Sequence, residues 1–216
     1  RLAAVARQHG IFLLAGSIAE RRAGAAKLYN TSVLFDREGN RVAVYRKIHL
    51  FDMEVAGQVA ARESAIFAPG SELVVARTEL GALGLTICYD LRFPELYRSL
   101  TLQGAQVIFS PAAFTLYTGK DHWEILLRTR AVENTVYMVA PAQIGVHPPD
   151  NRCFGSTMIV DPWGTVIARA SEQETVVLAD IDYDLLARVR ARLPVLQHRR
   201  PQVYALGDEP SPSSAY

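Results

Sequence analysis

Three stretches of the chain carry the residue types from which a nucleophilic site is built. Cys88 closes an apolar run, Leu83-Gly84-Leu85-Thr86-Ile87-Cys88, and is followed by Tyr89-Asp90-Leu91-Arg92-Phe93-Pro94-Glu95. A cysteine at the end of a buried strand and just ahead of a helix is placed for nucleophilic work. Helix-terminal N–H groups and a neighbouring cation favour the thiolate there, and the thiolate is the reactive form. Main-chain amides just after it are placed to hold an oxyanion. Spacing alone favours a plainer role, a small core residue, as most buried cysteines are. The charges immediately downstream, Asp90, Arg92 and Glu95, do not belong to a plain core.

The second stretch, Tyr45-Arg46-Lys47-Ile48-His49-Leu50-Phe51-Asp52, puts two basic residues and a histidine at a strand end. A lysine held there offsets negative charge developing on a tetrahedral intermediate; a solvated strand end is the competing role. Glu63, ahead of Ala65-Ile66-Phe67-Ala68-Pro69-Gly70, reads by itself as a surface acid. The third stretch is Pro111-Ala112-Ala113-Phe114, then Thr118-Gly119 and His122-Trp123-Glu124. It follows an apolar strand and reads as a loop leading into a helix, the usual place to line a pocket. His122 is a candidate base, with a structural hydrogen bond the commoner role. Asp161-Pro162-Trp163-Gly164 is first of all a turn.

The elements that must position these residues follow from periodicity and punctuation. Leu2, Val5 and Ala6 fit a helix that Gly10 ends, and Ile11 to Ala15 a buried strand before Gly16. Asn30–Phe35 and Val42–Tyr45 form a hairpin around residues 36–40; Glu72–Ala76 and Leu83–Ile87 form another around Gly81. Helices are expected over Pro94–Leu102, with proline in the first turn, over Asp121–Asn134 and over Tyr183–Arg192. Further strands are expected at Gln106–Ser110, Val136–Ala140, Thr157–Val160, Thr165–Ala168 and Val176–Ile181. Strands paired by short turns, mixed with helix-linked strands, predict a layered α/β protein with two sheets between helices. One domain over residues 1–206 is expected, followed by a polar tail over 207–216.

Composition narrows the function classes. The chain has 216 residues, a formal net charge of +1 and only two cysteines, Cys88 and Cys153. That excludes a disulfide scaffold and argues against an electrostatic nucleic-acid binder. No apolar run is long enough for a membrane helix, and no secretory leader opens the chain, so a cytoplasmic protein is expected. Serine-elbow, Walker A, zinc-helix and dinucleotide-binding motifs are missing, and no cofactor or metal is demanded.

Taken together, Tyr29-Asn30-Thr31, Arg46 to Asp52, Cys88 to Leu96, His122-Trp123-Glu124, Arg130 to Asn134 and Asp161 to Gly164 resemble the nitrilase (carbon–nitrogen hydrolase) superfamily, in particular its Nit amidase branch. The resemblance runs from Gly16 to Pro201, and the closing Leu193 to Pro201 is most similar to Nit enzymes that hydrolyse the amide of deaminated glutathione. It implies a four-layer α-β-β-α sandwich that pairs into a homodimer, with a Glu-Lys-Cys triad. Cys88 is then the nucleophile. Lys47 and the Tyr89 N–H stabilise the tetrahedral intermediate, and Glu63 is the second glutamate that orients the lysine. A thioester forms with loss of ammonia from a small carboxylate-bearing amide, such as deaminated glutathione or an ω-amide, and water releases the acid. Arg92, Phe114 and Thr118 are the expected substrate contacts.

Two departures stand beside the resemblance. The family's general-base glutamate falls at a point before Arg1, in an N-terminal strand–helix segment, and Glu20 and Glu54 lie in the wrong motifs to replace it. Cys153-Phe154-Gly155-Ser156-Thr157 stands where the branch has tyrosine, glycine, histidine and serine, which bears on the substrate. A catalytically silent module that binds a ligand or partner is therefore the alternative. A redox-sensing thiol protein built on Cys88 is a third reading, with no second cysteine close in sequence.

Overall fold

The computed structural model describes residues 1–55, 59–147 and 151–204, so the polar tail expected over 207–216 lies outside the described residues. The chain opens with helix α1 (Leu2–His9), closed by Gly10 in the left-handed conformation. Strands β1 (Leu13–Glu20), β2 (Tyr29–Phe35) and β3 (Arg41–Arg46) form an antiparallel sheet in that order. A hairpin follows, β4 (Asp52–Val55) and β5 (Val59–Arg62). The second sheet begins with β6 (Val75–Thr78) and β7 (Gly81–Leu85). Helix α2 (Pro94–Leu102) crosses to β8 (Val107–Phe109), and α3 (Leu116–Asn134) crosses to β9 (Tyr137–Ala140). The short hairpin β10 (Ile144–His147) and β11 (Asn151–Phe154) precedes β12 (Met158–Val160), β13 (Val166–Arg169) and helix α4 (Tyr183–Arg192). In space the second sheet runs β13-β12-β9-β8-β7-β6, parallel through β7, β8 and β9 and antiparallel at both flanks.

Period-two alternation assigns the faces of the second sheet. Val107 and Phe109 of β8, with Tyr137 and Val139 of β9, face Leu14, Leu34 and Ala43 of the first sheet. Ile108, Met138 and Ala140 point the other way, into a core with Leu96, Tyr97 and Leu100 of α2 and Trp123, Leu127 and Ala131 of α3. Trp123, Leu100 and Leu127 are fully buried, each worth on the order of 1.5–3 kcal/mol or more of apolar transfer. With α1 packed on β1, the layers run α-β-β-α, as expected. α4 adds Leu186 to the core between the sheets.

The differences from the sequence reading have local causes. β1 continues through Gly16 to Glu20 because an irregularity in its pairing between Ala15 and Ile18 absorbs Gly16-Ser17 without ending the strand. α3 begins at Leu116 rather than Asp121, because the Thr115 side chain caps it by accepting from the Thr118 N–H. Thr118 and Gly119 thus belong to a helix and not to a loop. Gly119 lets α3 lie against β11, where a Cβ would run into the Phe154 side chain. Val176–Ile181 forms no strand, and Val176 and Leu178 are 82% and 87% exposed. The hairpins β4–β5 and β10–β11 have no counterpart in the sequence reading.

Candidate active site

Three backbone segments converge on one cavity of about 730 Å³. The first is the end of β3. Tyr45 is fully buried there, and Lys47, just past the strand, is 2% exposed. The Lys47 backbone is held on both sides: its N–H donates to the Asn30 carbonyl (2.8 Å), and its own carbonyl accepts from the Gly70 N–H (2.8 Å). Gly70 is required at that contact, since a Cβ would meet the Arg46 carbonyl oxygen.

The second segment carries Glu63, the first residue of a 3₁₀ turn over Glu63–Ala65. Its Oε2 accepts from Lys47 Nζ at 2.5 Å and from the Phe51 N–H at 2.7 Å, while Oε1 accepts from Asn30 Nδ2 at 3.0 Å. Burial works to raise the Glu63 carboxyl. The Lys47 charge and the three hydrogen bonds outweigh it and hold the group below the ordinary carboxylate value. Glu63 is therefore an ionised partner of a buried lysine and not a surface acid.

The third segment is the end of β7. The extended chain continues through Thr86, whose N–H donates to the Phe109 carbonyl, to Cys88, whose N–H donates to the Pro111 carbonyl at 2.9 Å. Cys88 then turns sharply, at φ 51°, into a 3₁₀ turn over Cys88–Arg92. A left-handed conformation is uncommon for a residue with a side chain and here presents the thiol at a strand-to-turn elbow. The Cys88 N–H is taken by Pro111 and the Ile87 N–H by the Asp90 carboxylate, so neither is left for an incoming oxygen. Burial raises the Cys88 thiol above its ordinary range. The Lys47 charge and the Ala113 N–H work against that rise, while Glu63 and Asp90 add to it. A thiol raised in this way calls for a base to become a nucleophile.

Cys88, Lys47, Glu63, Asn30 and Phe51 line the cavity together, with Ser17 of β1, Arg62 of β5, Pro111 to Ala113, Gln143, Asn151 of β11 and Thr157. Lys47 and Cys88 of the expected triad, and Glu63, thus share one chamber. The expected substrate contacts do not line it. Phe114 and Thr118 are buried: Phe114 packs against Trp123, and Thr118 Oγ1 pairs with Thr115 Oγ1. Arg92 is half-buried beside the rings of Tyr89 (5.9 Å) and Phe114 (5.2 Å) and donates to His122 Nδ1 at 3.3 Å. Asn30, Arg62, Gln143 and Asn151 were not singled out in the sequence. Asn30 lies within the matching Tyr29-Asn30-Thr31 motif, a signal that marked the motif but not the role. Among the described residues no group of three or more His, Cys, Asp or Glu is arranged to hold a metal ion, and no helix is long and apolar enough to cross a membrane.

A buried lysine–glutamate pair and an elbow cysteine thus line one chamber in a four-layer α-β-β-α frame, the architecture of the carbon–nitrogen hydrolases. Residues 1–191 match the carbon-nitrogen hydrolase family, and the chain belongs to it. It is 47% identical over 201 residues to the deaminated glutathione amidase of Synechocystis, covering 92% of this chain and 74% of that protein. The crystal structure of the C. elegans NitFhit protein superposes with a TM-score of 0.88 at 43% identity, over 94% of this chain and 50% of that one. An amidase from Nesterenkonia sp. AN1, solved with the acetamide moiety of fluoroacetamide added covalently at its active-site cysteine, gives a TM-score of 0.77 at 26% identity, over 94% and 70% of the two chains.

Proposed function

We propose that the protein is a thiol amidase that hydrolyses a small, carboxylate-bearing amide through a Cys88 thioester. The observation that carries this reading is the Lys47–Glu63 pair at 2.5 Å in the chamber that also holds the Cys88 thiol. In the reaction, Cys88 Sγ attacks the amide carbonyl and its proton passes to a base. The carbonyl oxygen becomes an oxyanion, met by the Lys47 ammonium and the N–H of Tyr89. Lys47 is fit for that role because Glu63 fixes its amine while itself staying charged. The base returns the proton to the nitrogen, the C–N bond breaks and ammonia leaves. Water, deprotonated by the same base, then splits the thioester to give the carboxylic acid.

Glu63 is poorly suited to be that base: its pKa is lowered, and both oxygens are engaged. The family resemblance implies a general-base glutamate other than Glu63, and the proton transfers are assigned to that group. For the substrate tail, Arg62 lines the cavity and Arg92 does not, which favours Arg62 as the contact for a carboxylate. The active form is a homodimer; Ile125, Val132 and Trp163, all exposed and rimmed by Glu124 and Arg128, support pairing on the outer face of α3.

Ammonia release from a panel of ω-amides by the intact protein tests the reading. Release is expected, together with its loss in Cys88→Ala. A folded intact protein that binds the amides without releasing ammonia would favour the silent-module alternative.

A further inference from the structure

Asp90 is a fully buried carboxylate two residues beyond Cys88, and it takes no part in the reaction just described. Each of its oxygens is saturated. Oδ2 accepts from the Tyr45 hydroxyl (2.6 Å) and from the Ile87 N–H (2.8 Å). Oδ1 accepts from His49 twice, from its N–H (3.1 Å) and its Nδ1 (2.8 Å). His49 is in turn stacked on Phe93, with ring centroids 3.6 Å apart and planes 7° from parallel. The Tyr45 hydroxyl also accepts from the Ile48 N–H at 3.3 Å.

The partners are not scattered. Tyr45 and His49 stand two residues before and two residues after Lys47, and Ile87 immediately precedes Cys88. One carboxylate therefore grips both sides of the lysine and both sides of the cysteine, across two sheets whose own hydrogen bonds do not join these segments. Charged hydrogen bonds in a dry site are stiff, and a carboxylate with four donors has one well-defined seat. A site of this kind needs its groups held to within about 0.5 Å. The Lys47–Glu63 contact ties the lysine to the 3₁₀ turn over Glu63–Ala65 and not to Cys88.

We propose that Asp90 is a positioning residue that sets the spacing between the Lys47 ammonium and the Cys88 sulfur. Replacing it lets the two segments slide apart, so that Lys47 no longer favours the thiolate or the oxyanion. The inference rests on the amidase reading for its effect on turnover, but its effect on Cys88 is independent of any substrate.

The test uses the intact protein in a Cys153→Ser background, which leaves Cys88 as the one thiol among these 216 residues. The rate of Cys88 alkylation by iodoacetamide is followed against pH in the parent and in Asp90→Asn. Loss of positioning moves the midpoint up by about one pH unit or more, because the cation recedes. Loss of a mere negative neighbour moves it down, since the Asp90 charge acts against the thiolate. A folded Asp90→Asn protein with an unchanged or lowered midpoint overturns the proposal. Should Asp90→Asn fail to fold, Tyr45→Phe and His49→Gln decide: each removes one donor, and each should raise the midpoint by a smaller amount. No rise in either overturns it. In the amide assay, kcat should fall at least tenfold with KM within about twofold; a KM effect alone contradicts positioning. A parent protein that releases no ammonia sinks the amidase reading while the alkylation arm still judges Asp90.

Discussion

The two walls of the cavity are built differently. On one side, Lys47, Glu63 and Cys88 are rooted in β3 and β7 or tied to them, nearly every polar atom is hydrogen-bonded, and the surrounding residues belong to the core between the sheets. On the other side, Arg62 and Asn151 stand on the two-stranded hairpins β4–β5 and β10–β11, outside both large sheets and largely exposed. A fixed arrangement of charge stabilises a transition state, because it need not reorganise as charge develops. Contacts that choose a substrate tail gain from standing on short, replaceable elements over a rigid frame. The contrast implies that substitutions on the first wall act on kcat and those on the second act on KM.

Substitutions can break that division in order of expected size. Lys47→Met should lower kcat for an amide by about 10²–10³-fold, the cost of losing one preorganised oxyanion group, and should also destabilise the fold, since it strands the Glu63 carboxylate at a part-buried site. Steady-state kinetics and chemical denaturation would read both; a variant that loses only binding contradicts the assignment to the first wall. Next comes Arg62→Ala. It should raise KM for an ω-amide acid by about tenfold, the scale of one charged hydrogen bond, while leaving the kcat/KM of a neutral amide such as butyramide within about twofold. An equal loss on both substrates would place Arg62 in the machinery instead.

Smaller effects sharpen the same picture. Thr115→Ala removes the cap of α3 and should cost about 1 kcal/mol of stability, read by urea denaturation, without changing kcat. The Glu63 carboxyl, lowered in the fold, contributes stability that is fully present above its unfolded value, near 4.5, and is lost as pH falls through its lower folded value. Glu63→Gln should therefore flatten the acid limb of the stability curve in that window. An unchanged limb would mean that the pair is not ionised as described.

Helices were legible where punctuation was strong. Pro94 in a first turn gave α2 at its observed bounds, and the helix expected over Tyr183–Arg192 is α4. The start of α3 was hidden, because Thr118 and Gly119 are weak helix formers and the Thr115 cap is visible only in three dimensions. Val176–Ile181 has the composition of a strand, but composition does not supply a neighbour to pair with. The hairpins bearing Arg62 and Asn151 are built of four-residue strands, too short to leave an alternation to read. Of the site, the reactive types were visible through the motifs around Lys47 and Cys88. The Asp90 network was not, because its contacts with Tyr45 and His49 join residues 45 and 41 positions apart.

The proposed mechanism requires that Cys88 carry the acyl group. The intact protein, mixed with an ω-amide and quenched in acid within its first turnover, would be digested and its Cys88 peptide weighed by mass spectrometry. A mass increase equal to the acyl group on Cys88, removed by hydroxylamine and lost in Cys88→Ala, is the predicted result. Ammonia release with no adduct on Cys88, or with the adduct on another residue, would contradict it.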